Sequence, residues 1–193
     1  SGAIFSNDAV GPSGQSLRFD GDNDYVELNN SIFGGASNVD AFTQSIWIKV
    51  ASIGGYHVYS LNSYWRQKGL SINDNDLRYG GANPNPNQYF GLSKSQVITQ
   101  DIWTHVVVTF QSGIICIYVD GERIGGCNNI GRSLNHESVR RGNSTGKYLI
   151  GATWPVDIGL TGNFHGWLDD YRVYNRALSV GEIRSLYNRQ RPE

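Results

Sequence analysis

The sequence predicts an all-β fold, a two-sheet antiparallel sandwich that ends in one short helix. The first observation is alternation, because apolar and polar residues alternate through the stretch 103–124 as they do in strands with one buried face. The second is composition: 24 glycines, 12% aromatic residues and no methionine are typical of many short strands joined by tight turns. The third is length, since 193 residues suit one sandwich. We therefore expect a single domain over residues 1–193.

The stretch 103–124 predicts a three-stranded meander. Ser112-Gly113 is interpreted as a two-residue loop, and Asp120-Gly121 as a second tight turn, because glycine accepts the positive φ that a type I′ turn requires. Ile124 then returns opposite Ile117. The first turn predicts three facing apolar pairs on one side of the sheet, namely Phe110 with Ile115, Val108 with Ile117 and Val106 with Val119.

Further strands and one helix follow from the same patterns. Ser179 and Glu182 form a capping box that predicts a short helix after the last strand. Pro84 and Pro86 lack the donor that a central strand needs, so 83–89 is predicted to be a stiff loop. A second, polar loop is predicted over 128–147. The remaining strands are predicted at 16–20, 25–28, 42–50, 56–61, 69–72, 77–79, 148–152 and 164–174.

Two cysteines flank the turn at 120–121. The meander places Cys116 and Cys127 on the face opposite the apolar row, offset by one pair, and a bulge at Gly125-Gly126 would bring them to bonding distance. We expect a disulfide, and the alternative is two unrelated small residues. A disulfide would imply an oxidising compartment.

Carboxylates crowd the turn after the first predicted strand. Asp20, Asp22 and Asp24 repel one another unless a cation or hydrogen-bond donors compensate. A cluster that offers only oxygen ligands suits Ca²⁺. The alternative is a solvated turn whose side chains bond to their own backbone. The loop by itself leaves both possibilities open.

Two motifs connect the chain with a known family. Trp103 and His105 stand on one strand of the meander, and the following strand ends in Tyr118-Val119-Asp120-Gly121. The C-terminal run GWLDDYRVYNRALS occupies residues 166–179. Both motifs resemble those of laminin-G-like domains, which have a concanavalin-A-like jelly-roll fold. The resemblance runs along nearly the whole chain and implies the same fold here.

The resemblance also implies a structural Ca²⁺. Alternation along the last strand changes sides near Asp169 and Asp170, which predicts a β-bulge. In the family, similar aspartates meet the loop after the first strand and hold the ion, with backbone carbonyls and water completing its coordination. The alternative is that Asp169 or Asp170 forms surface salt bridges with Arg172 or Arg18. Carried over to this chain, the ligands are drawn from Asp20, Asp22, Asp169 and Asp170.

Charge and motifs disfavour several functions. The 16 basic and 17 acidic residues nearly balance, so the chain has no electrostatic footprint for nucleic acid or an anionic membrane. Membrane insertion is disfavoured as well, because no apolar run approaches the roughly 20 residues of a membrane helix. The carboxylate motif of related glucanases and the histidine spacing of metal hydrolases are absent from the sequence. We expect a binding domain rather than a lyase or hydrolase.

Aromatic and polar residues in or beside the predicted loops are candidates for sugar binding. Sugars present apolar C–H faces to aromatic rings, and hydroxyls to amide and guanidinium groups. The alternative is that these rings are buried in the sandwich, as we expect for Trp47, Trp103 and Trp167. The candidates are Tyr64, Trp65, Arg66, Tyr79, Asn87, Tyr89 and Trp154.

The sequence thus predicts a non-catalytic carbohydrate-binding module or lectin domain with a structural Ca²⁺. Its expected partner is an oligo- or polysaccharide, and we expect it to belong to a larger secreted or cell-surface protein. A protein-interaction or adhesion domain is the alternative, because laminin-G relatives also bind proteins and sulfated chains. An exposed basic row would favour that alternative, formed by Arg132, Arg140, Arg141 and Lys147.

Overall fold

The computed structural model describes residues 2–10, 14–28, 38–61, 68–82, 89–131, 134–135, 148–153 and 162–192. Over these ranges the chain forms sixteen strands and one helix, α1, at Val180–Gln190. The strands are β1 Ile4–Ser6, β2 Ser16–Asp20, β3 Val26–Leu28, β4 Asn38–Val39, β5 Ala41–Val50, β6 Gly54–Leu61, β7 Lys68–Asp74, β8 Asp76–Ala82, β9 Tyr89–Lys94, β10 Thr104–Gln111, β11 Ile114–Val119, β12 Glu122–Arg123, β13 Asn128–Asn129, β14 Leu134–Asn135, β15 Tyr148–Ile150 and β16 His165–Tyr174.

Two antiparallel sheets form the predicted jelly-roll sandwich. The first sheet has the order β1-β2-β16-β5-β10-β11-β12, and β13 also pairs with β11. The second has the order β3-β15-β6-β7-β8-β9, and β4 and β14 form a separate small pair. One core cluster contains side chains from both sheets, such as Ile46 of the first and Leu70 of the second. No helix among the described residues is long and apolar enough to cross a membrane.

The predicted meander is confirmed in both of its turns. Ser112 and Gly113 have φ values of 47° and 84°, and Asp120 and Gly121 have φ values of 50° and 81°. Both pairs thus hold the left-handed conformation of type I′ turns. Ile124 returns as predicted, because its N–H donates to the carbonyl of Ile117 at 3.0 Å. All three predicted apolar pairs face each other in the register of β10 with β11: Val106 with Val119, Val108 with Ile117 and Phe110 with Ile115.

The disulfide joins β11 to the segment before β13. Cys116 and Cys127 are bonded, with their Cα atoms 4.4 Å apart. The antiparallel register of β13 with β11 pairs Asn128 with Ile115. The neighbouring residues Cys127 and Cys116 therefore lie opposite each other. The segment predicted as a loop at 128–147 therefore begins with a short strand, which sets the two cysteines opposite each other rather than diagonally.

The first two predicted strands belong to different sheets. β2 pairs with β16 in the first sheet, and β3 pairs with β15 in the second. The intervening residues 21–25, with Gly21 at a φ of 85°, carry the chain across the edge of the sandwich. Phe19, at the end of β2, packs edge-on against Phe164 with ring centroids 5.8 Å apart. The carboxylate-rich turn is therefore a corner between layers.

The last strand and the helix follow the prediction closely. The register of β16 with β5 shifts between Asp169 and Arg172, and Asp170 has a φ of 46°, which confirms the bulge. Ser179 caps α1 and Glu182 completes the capping box. The buried face of α1 covers the outer face of the first sheet, where Ile183 clusters with Val107, Tyr118, Leu178 and Leu186. This is why the middle of β5 and β10 is buried on both faces.

Candidate binding groove and corner loop

Glycines line up in a row across the second sheet. The antiparallel register pairs Gly69 of β7 with Gly80 of β8, and Gly80 with Gly91 of β9. On the other side of β7, Gly69 pairs with Ser60 of β6. Because the glycines carry no side chain, the row is a shallow trench across β7, β8 and β9, and Ser60 at its end is buried.

The trench lies on the outer face of the sheet. Leu70 and Ile72 of β7 and Leu77 of β8 are fully buried in the core. Side chains alternate between the two faces of a strand, so Gly69 and Gly80 face away from the core. The parallel row beside them also faces outward, and the register aligns His57, Ser71, Arg78 and Ser93 across the same strands.

The two rows enclose a groove of about 370 Å³. This volume falls at the lower end of the range for small-ligand sites, roughly 300–1,000 Å³. An added Cβ at Gly91 would meet only the Tyr79 carbonyl oxygen at 3.9 Å, so the trench is open there. At Gly69 an added Cβ would overlap the carbonyl oxygen of Tyr59, so glycine is required for the chains to pack. Glycine thus shapes the groove and is sterically obligatory at one of its positions.

The polar groups of the groove combine one cation with neutral donors. Arg78 is exposed, and its Nη2 lies 3.9 Å from Oδ2 of Asp76. Burial lowers the pKa of His57, so its imidazole is neutral near pH 7. The hydroxyls of Ser71 and Ser93 flank Arg78 in the same row. This set can donate to, and accept from, the hydroxyls of a neutral or anionic ligand.

The structure changes the list of sugar-binding candidates. Tyr79 is 4% exposed and belongs to the core cluster, so the prediction that its ring binds ligand is wrong, and only its backbone lines the groove. Alternation explains this, because Leu77 and Tyr79 share the inner face of β8. Tyr89 begins β9, but its side chain is not among those described. The other candidates lie outside the described residues, as does the proposed basic row: Tyr64, Trp65, Arg66, Asn87, Trp154, Arg132, Arg140, Arg141 and Lys147.

The predicted calcium ligands do not come together. The register of β2 with β16 places His165 opposite Asp20. Asp169 lies four residues further along β16, which corresponds to about 13 Å of extended strand. Within the described ranges, no group of three or more His, Cys, Asp or Glu side chains is arranged to hold a metal ion. The bulge with Asp169 and Asp170 and the corner loop with Asp20 and Asp22 are therefore at different heights of the sheet, and the calcium ion itself stays a prediction.

Both aspartates of the bulge have other partners. The carboxylate of Asp169 accepts hydrogen bonds from the N–H groups of Val10 at 2.9 Å and Asp170 at 2.7 Å. Burial raises the pKa of Asp169, although these two hydrogen bonds oppose the shift. Asp170 accepts from Nε of Arg172 at 2.8 Å and from the side-chain amide of Gln190. The bulge therefore anchors the N-terminal segment and the helix.

The corner loop contains a different arrangement. Asp24 is 4% exposed, and its Oδ2 accepts from the N–H of Asp20 at 3.0 Å. Its Oδ1 is buried and has no hydrogen-bond partner. Asn163 donates from Nδ2 to the carbonyl of Asp22, and its Oδ1 is likewise buried without a partner. Asp24 belongs to the acidic cluster that the sequence predicts, whereas no sequence pattern singles out Asn163.

Comparisons with known proteins agree on the fold. Residues 20–184 match a family profile of the laminin-G type, which is described as the concanavalin A-like lectin/glucanases superfamily. The adhesion G-protein coupled receptor V1 of Danio rerio is 27% identical over an alignment of 163 positions, which covers 76% of this chain and 2% of the receptor. This chain therefore spans only a small part of that relative.

Solved structures of similar fold include binding domains of larger proteins. The binding domain of botulinum neurotoxin serotype D superposes with a TM-score of 0.65 at 18% identity, covering 90% of this chain and 42% of that one. Domain 4 of the extracellular arabinanase AbnA from Geobacillus stearothermophilus, solved in complex with arabinotriose, gives 0.66 at 14% identity, with 96% and 81% coverage. At these identities the similarity establishes the fold alone.

Proposed function

The chain belongs to the concanavalin A-like lectin/glucanases superfamily, and from this premise we propose that it is a non-catalytic carbohydrate-binding domain whose ligand occupies the outer groove. The observation that carries the proposal is the alignment of Gly69, Gly80 and Gly91 beside the polar row. A trench without side chains lets a sugar ring approach the sheet. Hydroxyl, imidazole and guanidinium groups at its side then supply the hydrogen bonds that sugars need.

The chemistry of the groove favours binding over turnover. Hydrolysis of a glycosidic bond requires two carboxyl groups on either side of the bond. The described residues that line the groove include no Asp or Glu, and their ionisable side chains are His57, Arg78 and the inward-facing Tyr79. Arg78 has no role as a general base because its guanidinium stays protonated. A single neutral imidazole does not form the required pair.

The disulfide and the relatives support an extracellular setting. Disulfides persist in oxidising compartments and are rare in the cytosol. The neurotoxin domain is named for binding, and the arabinanase domain was solved with an oligosaccharide. We infer a secreted or cell-surface protein in which this domain attaches other domains to a glycan.

A second candidate is protein adhesion, favoured by the edge of the first sheet. Among the strands that the structure describes, β1 pairs with β2 alone, and its Phe5 side chain is 75% exposed. An unpaired strand edge with an apolar side chain can add a strand from a partner protein. The adhesion receptor relative is compatible with such a role. The two candidates use different surfaces, so one experiment separates them.

The experiment is a glycan array followed by isothermal titration of the best ligand with wild type and two matched variants. Gly91→Gln fills the trench at a position with free space, whereas Gly55→Gln places the same side chain elsewhere on the same sheet, where an added Cβ meets only Asn73 Oδ1 at 3.8 Å. We expect Gly91→Gln to lose binding with an unchanged melting temperature, and Gly55→Gln to bind like wild type. Equal affinity in all three proteins, or cleavage of the glycan, would overturn the proposal.

A further inference from the structure

One segment of the first sheet reaches across the sandwich to the edge of the groove. β9 is the last strand of the second sheet in the order that the structure describes, and its Gly91 lines the groove. The side-chain amide of Asn128 donates from Nδ2 to the carbonyl of Gly91 at 2.8 Å. Asn128 belongs to β13, which pairs with β11 in the first sheet. The edge strand of the groove is therefore hydrogen-bonded to the opposite layer.

A second contact between the two layers runs in the reverse direction. Nζ of Lys94, at the end of β9, donates to the carbonyl of Gly126 at 3.1 Å. Glycine at 125 permits this contact, because Gly125 has a φ of 60° and an added Cβ there would lie only 2.7 Å from Nζ of Lys94. Segment and strand thus each supply one side-chain donor to a backbone carbonyl of the other.

The disulfide fixes the segment that makes these contacts. Cys127, immediately before β13, is bonded to Cys116 of β11. After β13, the N–H of Ile130 donates to the carbonyl of Gly113 at 2.7 Å. Both ends of β13 are therefore held against the first sheet. We call residues 125–130 the clamp segment.

The hold of the clamp segment on β9 depends on its own position. Both of its contacts with β9 are exposed hydrogen bonds, which water replaces once the segment moves away. β9 would then be held, within the described part of the chain, by its ladder with β8 and by the packing of Leu92 on the core. An edge strand with few contacts opens locally more readily than a central strand. The disulfide is thus placed where it decides how firmly β9 is held.

We propose that the disulfide controls the groove: closed, it keeps β9 in the position that forms the groove, and open, it releases β9 and weakens ligand binding. The effect on binding rests on the proposed function, whereas the effect on β9 does not. Asn128 is a positioning residue in this arrangement, because it bonds to the strand of the groove and acts on a ligand through Gly91.

A dithiol is the class of reductant that opens the bond. In thiol–disulfide exchange the S–S bond of the protein breaks and one forms in the dithiol, while Cys116 and Cys127 each take up one electron and one proton. Both cysteines are half-buried rather than fully buried, so a small thiolate has access to them. Dithiothreitol is the probe for this step.

Hydrogen exchange tests the release of β9 without any glycan. Wild type is compared in its oxidised form and in dithiothreitol, at a temperature well below the melting of both forms. We expect the amides of Tyr89–Lys94 to exchange at least about tenfold faster after reduction, and those of Lys68–Asp74 in β7 to change little. Reoxidation should restore slow exchange, which distinguishes a reversible control from damage. Equal exchange of β9 in both forms would overturn the proposal.

Asn128→Asp tests the positioning role with the disulfide intact. Aspartate has nearly the same size, but its carboxylate has no donor for the carbonyl of Gly91. Asn129→Asp is the matched control: it adds the same charge one residue away and keeps an oxygen for the N–H of Gly131, which Oδ1 of Asn129 accepts at 2.8 Å. We expect faster exchange of β9 in Asn128→Asp and wild-type exchange in Asn129→Asp. The same exchange rate in both variants would rule out a positioning role for Asn128.

Calorimetry with the best glycan of the array measures the effect on binding. Affinity should fall about 2- to 10-fold in Asn128→Asp, as for one lost hydrogen bond, and at least as far in reduced wild type. Asn129→Asp should bind like oxidised wild type. Faster exchange of β9 with unchanged affinity would overturn the control of binding. If no glycan binds at all, the proposed function fails, and exchange of β9 alone decides whether the disulfide positions that strand.

Discussion

The indole Nε1 of Trp47 donates a hydrogen bond to Oε1 of Gln190 at 3.2 Å, which ties the middle of β5 to the last turn of α1. The Trp47 ring stacks on Tyr187 with a centroid distance of 5.7 Å, so the contact is both polar and aromatic. The side-chain amide of Gln190 also donates to Asp170 in the bulge of β16. One buried glutamine thus connects the helix with two neighbouring strands.

Replacing this glutamine should destabilise the domain. Gln190→Ala leaves the buried indole N–H without an acceptor, and an unsatisfied buried group costs about 1–3 kcal/mol. The free energy of unfolding, measured by urea denaturation, should fall by that amount. Arg189→Ala is the control, because the Arg189 side chain is exposed and its loss should change stability by less than about 0.5 kcal/mol. Equal urea midpoints for Gln190→Ala and Arg189→Ala would contradict a stabilising role for the hydrogen bond between Trp47 and Gln190.

His105 lies beneath the same helix in a site that disfavours its charge. Its ring is 4.9 Å from that of Trp47, and its Nε2 is 2.9 Å from the hydroxyl of Ser45. Burial lowers the pKa of His105 to about 4, with Asp170 opposing the shift and Arg172 adding to it. In the unfolded chain the pKa is near its ordinary 6.5.

Stability should therefore depend on pH in a defined window. Between about pH 4 and 6.5 the unfolded state binds a proton at this residue and the folded state does not, so unfolding becomes easier as the pH falls. A pKa unit corresponds to about 1.4 kcal/mol, so the full loss is on the order of 3 kcal/mol. Wild type and His105→Gln should be unfolded in urea across this range. Carboxylates titrate in both proteins and contribute equally to the pH dependence. Only wild type should show the additional decrease in the free energy of unfolding as the pH falls.

The disulfide between β11 and the segment before β13 makes a separate contribution to stability. Cys116 and Cys127 are 11 residues apart in sequence. In the chain-entropy model, closing a loop of this length lowers the entropy of the unfolded state, and this stabilises the folded protein by about 3 kcal/mol. The double variant Cys116→Ala, Cys127→Ala should be less stable by about that amount in urea. Reduced wild type should unfold at a similar midpoint. A double variant as stable as the oxidised protein would refute this expectation.

Local sequence patterns predict much of the first sheet. Val108 faces Ile117 because strict alternation and a two-residue loop leave only one register that buries both apolar rows. The sequence could not tell that Asp20 and Tyr25 flank a crossing between layers, since a corner and a hairpin use the same turn residues. β1 was missed because Ile4 and Phe5 are exposed and have no periodic pattern.

The candidate site is harder to predict, because its floor is formed by glycines, which have no side chain. Gly69, Gly80 and Gly91 carry no hydrophobic signal, although their equal spacing of 11 residues would align them across three strands joined by hairpins. That spacing is the signal that could have revealed the groove. Tyr79 shows the opposite case: its position beside a predicted loop favours a ligand contact, but the alternation of β8 places its ring in the core.

Arg78 should govern affinity if the groove binds glycans. Arg78→Gln removes a guanidinium whose hydrogen bonds to a ligand are worth about 1.5–3 kcal/mol, so affinity should fall about 10- to 100-fold. Arg78→Lys keeps the charge but loses the fork geometry, and an intermediate loss is expected. Arg123→Gln, on a strand of the other sheet, is the control and should bind like wild type. Calorimetry with the best glycan gives these values, and unchanged affinity in Arg78→Gln would place the ligand elsewhere.

Two glycines should respond to alanine in opposite directions. Gly166 has a φ of 146°, and an added Cβ would overlap the carbonyl oxygen of Lys49 on β5, so Gly166→Ala forces β16 away from its neighbour. We expect it to lower the free energy of unfolding by about 4 kcal/mol or more. Gly181 lies in α1 with open space around it, and Gly181→Ala should stabilise by about 0.5–1 kcal/mol because alanine favours helix. Urea midpoints that move in the same direction for both variants would contradict the close approach of β16 to β5.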